Sequence, residues 1–267
     1  NNLLTDLNRR DFTINSICMN KKGVIVDLLN GRKDLSLKVL RVIGDVNNKF
    51  TEDPLRMLRA IRFATLLNFK IEAPALEFII NNKALIKKLS YQRKKNELDL
   101  ILISRNYKQG LDFIKEISLD EVLEIKYNLV KKTDDLLGMW AQIEYSSNYP
   151  FTNQEKSSIK IIKEIVNYGK IDANILFKYD LYHAYIAGDI LNINKVIISK
   201  LYKLMPIHDY ADIDINGKDI IDILEITPSI KIKMITEDIK EAILNKKLKN
   251  NKKDITKYLI NNKEKWL

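Results

Sequence analysis

Between Leu55 and Phe69 the polar side chains are Arg56, Arg59, Arg62, Thr65 and Asn68, and every other position is apolar. At the helical period these residues fall along one narrow stripe, so the segment predicts a helix that is apolar around most of its circumference and largely buried. A solvated stripe would mix Lys, Glu and Ser. This one opens with three arginines at spacings of three and carries no acid at i+4 to relieve their repulsion, so it is expected to line a cleft that holds something anionic. Glu52 and Asp53 stand just before it. From Asp53 to Arg62 such a helix rises about 13 Å, enough to lie along a nucleotide, and the planar donor fork of arginine suits phosphates and base edges. A purely structural alternative exists for the acids: Thr51 could cap the helix, with Glu52 and Asp53 complementing its dipole and Pro54 tolerated in the first turn.

A chain of 267 residues can hold one large domain or two to three small ones. Its single cysteine, Cys18, rules out an internal disulfide framework and points to a reducing compartment. No apolar run is long enough to span a bilayer, so the cytoplasm is the expected location and no membrane partner is expected. The formal charge of +10 favours an anionic partner without identifying one. Its distribution says more: from Lys231 onward eleven lysines face five acids. Lysines without arginine suit loose phosphate contact, and Lys246, Lys247, Lys249, Lys252 and Lys253 are the expected RNA-binding residues. The chain begins Asn1-Asn-Leu-Leu-Thr-Asp-Leu-Asn8 without an initiator Met, and a preceding segment is expected to be missing.

The first fifty residues read as mixed structure. Ser16 to Met19 and Val24 to Asp27 form an expected hairpin around Asn20-Lys-Lys-Gly23, and the short apolar run Val39 to Ile43 follows a turn at Gly31. After Thr51 no strand pair is evident. Helical periodicity covers 54–67, 75–89, 92–103, 106–117, 134–144, 153–168, 172–181, 194–205, 218–224, 229–244 and 253–260.

Two further charged clusters precede the stripe: Arg9-Arg-Asp-Phe-Thr-Ile-Asn15, and Asp27-Leu-Leu-Asn-Gly-Arg-Lys-Asp-Leu35. Together with Glu52-Asp53 and Arg56, Arg59 and Arg62, their order resembles the class II tRNA nucleotidyltransferases, the CCA-adding and bacterial poly(A) polymerase family. Arg93 to Glu97, Asp214 to Ile220 and Leu244 to Asn250 are similar to that family's neck and tail signatures, so the resemblance spans nearly the whole chain. It implies a mostly α fold: a small α+β remnant of a nucleotidyltransferase head over 1–50, then a helical neck with the nucleotide-reading helix over 51–110, a helical body over 111–205 and a tRNA-binding tail over 206–267.

The resemblance also implies roles. Arg9, Arg10 and Asp11 would contact the ribose and triphosphate of CTP or ATP, Asp53 and Arg56 would read its base, and Arg59 and Arg62 would hold the site's geometry and the phosphates, with Glu52 as a secondary member. The tRNA 3′-hydroxyl would attack the α-phosphate and release pyrophosphate, assisted by two Mg²⁺ ions on strand aspartates. Elementary chemistry supports the reading pair: cytosine and adenine each show an exocyclic amine beside a ring-nitrogen acceptor, which a carboxylate and a guanidinium satisfy together, whereas uracil and guanine show a carbonyl beside an N–H.

The family's glycine-rich loop and Asp-x-Asp strand have no counterpart before Arg9. The Mg²⁺ ligands are therefore expected in the missing head segment, with no catalytic residue in this chain and no activity from it alone. The expected reaction is addition of CMP and AMP to the tRNA 3′ end. A-only or poly(A) synthesis by the same family, and a catalytically silent RNA-binding fragment or half of a split enzyme, are the alternatives. Two weaker patterns compete: His183 with His208-Asp209, which suggests a metal-dependent phosphohydrolase, and Asp212-Ile-Asp214 as a metal pair.

Overall fold

The computed structural model describes residues 3–266; Asn1, Asn2 and Leu267, which bound the readings of the chain's start and of the lysine-rich tail, lie outside them. Its contacts divide the chain into two compact units, one running to Val130 and including Met139–Glu155, the other comprising Lys131–Gly138 and Lys156 onward.

The first unit opens with helix α1 (Leu3–Asn8) and a tight 3₁₀ turn over Thr13–Ser16. The expected hairpin is present: β1 (Cys18–Met19) pairs antiparallel with β2 (Ile25–Val26), Cys18 opposite Val26, around a turn whose Gly23 takes φ +80, a conformation glycine adopts without strain. Helix α2 (Gly31–Leu37) follows, starting so close to the turn that a Cβ on Gly31 would lie 2.3 Å from the Thr13 carbonyl oxygen. The apolar run becomes β3 (Val39–Leu40), paired parallel with β4 (Lys70–Ile71). Residues 11–13 lie along residues 41–43, with Ile43 donating to Asp11 O and Thr13 to Arg41 O, each at 3.0 Å.

Helices α3 (Val46–Glu52) and α4 (Leu55–Leu67) meet at Asp53-Pro54. Thr51 is not a cap, and Thr51 and Glu52 close α3 instead of opening α4. Asp45 caps α3 by accepting the Asn48 N–H at 2.8 Å, and Pro54 stops it by lacking an N–H and forcing Asp53 into the extended region at φ −141. Asp53 still serves the next helix, accepting the Leu55 N–H at 3.2 Å. The apolar positions of α4 behave as their spacing implies: Met57, Leu58, Ala60 and Ile61 are buried, which at about 25 cal/mol per Å² makes this face a main anchor of the unit.

Helices α5 (Ala73–Asn82), α6 (Tyr91–Ile103), α7 (Tyr107–Glu116) and α8 (Leu119–Leu123) complete the bundle. Helix α7 approaches α4 closely, and a Cβ on Gly110 would fall 2.7 Å from Thr65 Cγ2. After Thr51, β4 joins the earlier β3 and, against expectation, a strand pair forms from the antiparallel β5 (Ile125–Lys126) and β6 (Glu144–Tyr145); two-residue strands are too short to show a period of two. The helix expected over 134–144 shrinks to α9 (Leu136–Trp140). Trp140 there is fully buried, donates to Asp99 at 2.7 Å and packs against Tyr145, Tyr149 and Phe151.

The second unit is built from α10 (Asn153–Tyr168), of which residues from Lys156 on belong to it, α11 (Ala173–Lys178), α12 (Leu181–Leu191), α13 (Lys195–Lys203), α14 (Gly217–Leu224), α15 (Lys231–Leu244), α16 (Lys252–Asn261) and α17 (Lys263–Trp266). Its core is isoleucine-rich, with Ile198, Ile207, Ile220, Ile235, Ile239, Ile243 and Ile255 buried together. The helix expected over 172–181 is α11 and ends at Lys178, and α12, which the periodicity did not indicate, starts at Leu181, where Asp180 caps it by accepting the His183 N–H at 2.9 Å. No helix among the described residues is long and apolar enough to cross a membrane.

Candidate nucleotide site

The first unit carries an open cleft of about 460 Å³ lined by Arg9, Arg10, Asp11 and Asn15 on one side and by Asp53, Arg56, Arg59 and Phe63 on the other. Two segments far apart in sequence thus meet: the turn after α1, held by its pairing with residues 41–43, and residues 53–63, which lead into and form the first part of α4.

Every arginine of the stripe has an acidic partner, contrary to the expectation of unrelieved repulsion. Arg56 Nη1 donates to Glu52 at 2.8 Å and to the Lys49 carbonyl at 3.0 Å. Arg59 reaches Asp11 at 2.6 Å, and Arg62 meets Glu97 of α6 at 3.0 Å. Glu52 stands four residues before Arg56, outside the stripe itself but at the i,i+4 spacing, while the acids on Arg59 and Arg62 come from 48 residues upstream and from another helix, which no local spacing rule inspects. The partners divide the arginines by function. Arg62 and Glu97 are nearly sealed from solvent, at 12% and 8% exposure, and Arg62 lies over the Phe63 ring at 4.3 Å. Burial pushes the Glu97 carboxyl up and the Arg62 guanidinium down from their ordinary values. This pair lies beneath the cleft, and Arg62 is not among the residues that line it.

Asp11 is buried and saturated, accepting from Arg59, from Asn15 Nδ2 at 2.9 Å and from the Phe12 N–H at 2.9 Å. Arg10 donates to the Asn15 carbonyl at 2.7 Å and to Asp6 at 3.1 Å, and the more exposed Arg9 donates to the same Asp6 at 2.7 Å. These guanidiniums hold the Asp6 carboxyl below the usual carboxylate range, Arg9 most strongly.

Asp53 and Arg56 do not bond one another. Asp53 takes Arg93 Nη2 of α6 at 3.0 and 3.2 Å, while the hydrogen bond from Arg56 holds Glu52 below its ordinary value. Both residues of the expected reading pair therefore stand in the cleft wall with separate supports, and Nε and Nη2 of Arg56 remain for a ligand. Arg93, Lys49, Asn15 and Phe63 join the site without having been assigned to it from sequence. Arg93 carried a signal, since it opens the segment that resembles the family's neck, but its pairing with Asp53, 40 residues away, did not.

In the second unit Lys246, Lys247, Lys249 and Lys253 are exposed around the end of α15 and the start of α16, the first with φ +58. Lys252 is exposed but engaged, donating to Asp219 at 2.8 Å. The competing patterns find structural employment. Asp212 accepts the His208 and Asp209 N–H groups at 2.7 and 3.0 Å, Asp214 accepts the Lys252 N–H at 2.8 Å, and His183 Nδ1 meets Asp180 at 2.8 Å. No group of three or more His, Cys, Asp and Glu side chains among the described residues could hold a metal, so Mg²⁺ has no ligand set there and no role assigned to these residues runs through a metal.

Comparison with known proteins agrees with this architecture. Residues 1–41 match the poly(A) polymerase head domain and residues 140–259 the tRNA nucleotidyltransferase domain 2. The CCA-adding enzyme of Pediococcus pentosaceus is 30% identical over 277 residues, covering 93% of this chain and 70% of the relative. That of Bacillus subtilis is 30% identical over 288 residues, covering 95% and 72%. Among solved structures, the CCA-adding enzyme of Bacillus stearothermophilus in complex with CTP superposes with a TM-score of 0.84 at 22% identity, over 99% of this chain and 75% of the other. The Thermotoga maritima enzyme complexed with tRNA gives 0.68 at 19% identity, over 97% and 74%; these likenesses establish the mostly helical fold with a nucleotidyltransferase head. The chain belongs to the CCA-adding enzymes, a family of tRNA nucleotidyltransferases.

Proposed function

We propose that the protein adds CMP and AMP to the 3′ end of tRNA without a nucleic-acid template, by phosphoryl transfer from CTP and ATP. The observation that carries this reading is the placement of Asp53 and Arg56 on one wall of a cleft whose opposite wall presents Arg9 and Arg10. The Asp53 carboxylate can accept the exocyclic amine of cytosine or adenine while the remaining Arg56 donors address the adjacent ring nitrogen. Uracil and guanine would set a carbonyl against the carboxylate and an N–H against the guanidinium. Once a bound base covers these half-buried groups, leaving them unpaired can reject a mismatched edge by up to about 10⁴-fold. Arg9, Arg10 and Arg59 take the ribose and triphosphate side, and Asp11 orients Arg59.

Residues 51–110 act in this scheme as the neck that carries the reading helix, 111–205 as the body and 206–267 as the tail. The exposed lysines at 246–253 give tRNA sequence-independent phosphate contact. Mg²⁺ is the proposed cofactor and the cytoplasm the proposed location; with no ligand set for the ion among the described residues, no step is derived through it.

The test supplies the full-length enzyme with Mg²⁺, CTP, ATP and a tRNA truncated before its 3′ CCA, and sequences the product's end. Cytidine, cytidine, adenosine is expected. A run of adenosines would assign poly(A) or A-only synthesis instead, and tRNA binding without extension would assign a silent RNA-binding role.

A further inference from the structure

The second unit holds an open cavity of about 710 Å³, walled by α11, by α15, by Tyr168 at the end of α10 and by Tyr210. Part of the wall is occupied with itself. Glu237 accepts from Lys240 at 2.6 Å and from the Tyr210 hydroxyl, Lys240 lies 5.6 Å from the centre of the Phe177 ring, and Phe177 meets Tyr210 edge to face at 5.0 Å. The remaining polar groups of the wall are uncommitted. The Asn174 carboxamide makes no hydrogen bond among the described residues, and its Oδ1 is sealed from solvent without a partner. Glu241 is exposed and forms no ion pair among the described residues. Lys178 stands 67% exposed in a loose ion pair with Glu164 at 3.9 Å. Tyr168 and Tyr210 keep about half of their surface open, and Asn245, in the same wall, is followed directly by the exposed Lys246 and Lys247.

A buried amide without a partner costs free energy that a ligand recovers, and rotation about χ2 turns Oδ1 toward the cavity. An acyl chain would leave both acceptors, Asn174 and Glu241, unpaired. A bare phosphate would meet the Glu241 carboxylate. A nucleotide answers all of these groups: an exocyclic amine donates to the two acceptors, the ring stacks on tyrosine, and the phosphate lies toward the lysines at the rim.

We infer that this cavity is a nucleotide site of its own, selective for a base that carries an exocyclic amine, in a free monophosphate or in an unstacked residue of RNA. Adenine, cytosine and guanine carry such an amine, whereas uracil and hypoxanthine set a carbonyl against Glu241. The site does not depend on the reading of the cleft; the RNA source alone rests on the proposed tRNA contact of the tail.

The experiment photo-crosslinks 8-azido-AMP to the full chain and locates the adducts by peptide mass. Adducts are expected on the peptides that carry Tyr168 and Tyr210, and AMP is expected to suppress them about tenfold more effectively than inosine monophosphate, on the scale of one hydrogen bond to a charged acceptor. Asn174→Leu should lower their yield about fivefold. Should that variant not fold, Glu241→Gln alters an exposed side chain and is expected to abolish the advantage of AMP, since a carboxamide also donates to a carbonyl. Adducts confined to residues 53–63, or equal competition by the two monophosphates, would overturn the site. Suppression of the adducts by tRNA assigns the site to an RNA base, and their persistence in its presence assigns it to a free nucleotide. If replacing Lys246, Lys247, Lys249 and Lys253 with Ala leaves tRNA binding unchanged while the adducts keep their preference for the amine, the tail reading falls and the cavity stands; if tRNA binding weakens but no adduct forms at the cavity, the reverse holds.

Discussion

Asp53 shares its carboxylate between the first N–H of α4 and Arg93, while Arg56 leans on Glu52. In the proposed reading, base choice therefore depends on residues that do not read the base. Asp53→Ala or Arg56→Ala should lower the preference for CTP over UTP by roughly a hundredfold, since each removes one of two edge bonds and exposes the other to water; primer-extension ratios measure it. Arg93→Met should act in the same direction but more weakly, because Asp53 keeps its bond to Leu55 N–H and loses only its orientation. Its melting temperature should move little, Arg93 being 46% exposed and its ion pair screened by solvent. A C-over-U ratio that stays at the wild-type level in Arg93→Met would show that Leu55 alone suffices to aim the carboxylate.

At the scale of elements, α4 is held from below by a charged pair that its own sequence does not announce. Removing one partner, as in Arg62→Met, strands Glu97 in a buried place and should cost about 3–5 kcal/mol, read by chemical unfolding. The pH dependence has a definite sign. Burial raises the folded Glu97 above its ordinary value, so the native state binds that proton more tightly than the unfolded chain does. Its contribution to stability is full below the unfolded pKa and is lost as pH rises through the folded one. Glu97→Gln, which imitates the protonated carboxyl, should lack that decline, as melting curves from acid to neutral pH would show.

Helix α4 and α10 were legible because their apolar positions recur at the helical period between clear punctuation. Helix α12 was not: Ala184, Ile186, Ala187, Gly188 and Ile190 are all buried, so no polar stripe marks a face, and the break before it depends on Asp180 acting as a cap. The site's membership was legible where the motifs are dense, at Arg9 to Asp11 and Asp53 to Arg59. Its wiring was not, because Asp11 with Arg59 and Asp53 with Arg93 are 48 and 40 positions apart and are paired only by the packing of α4 against α6 and against the turn after α1.

For the whole molecule, the excess positive charge resides largely in the last residues, and four of the five lysines singled out there carry no ion pair among the described residues, Lys252 with Asp219 being the exception. Replacing Lys246, Lys247, Lys249 and Lys253 with Ala should weaken tRNA binding and flatten its dependence on salt by on the order of three units of logarithmic slope. Nucleotide selection, which belongs to the other unit, should be untouched. An unchanged slope in a titration from low to moderate salt would place the RNA contact elsewhere.

The junction at Asp53-Pro54 leaves no slack between two rods. Inserting a single alanine after Asp53 would displace its carboxylate from the start of α4 while leaving every side chain of the cleft chemically intact. Such a variant is expected to hold triphosphates and yet accept the wrong bases, so that in the proposed reading monomer choice depends on the join between consecutive helices as much as on which residues are present.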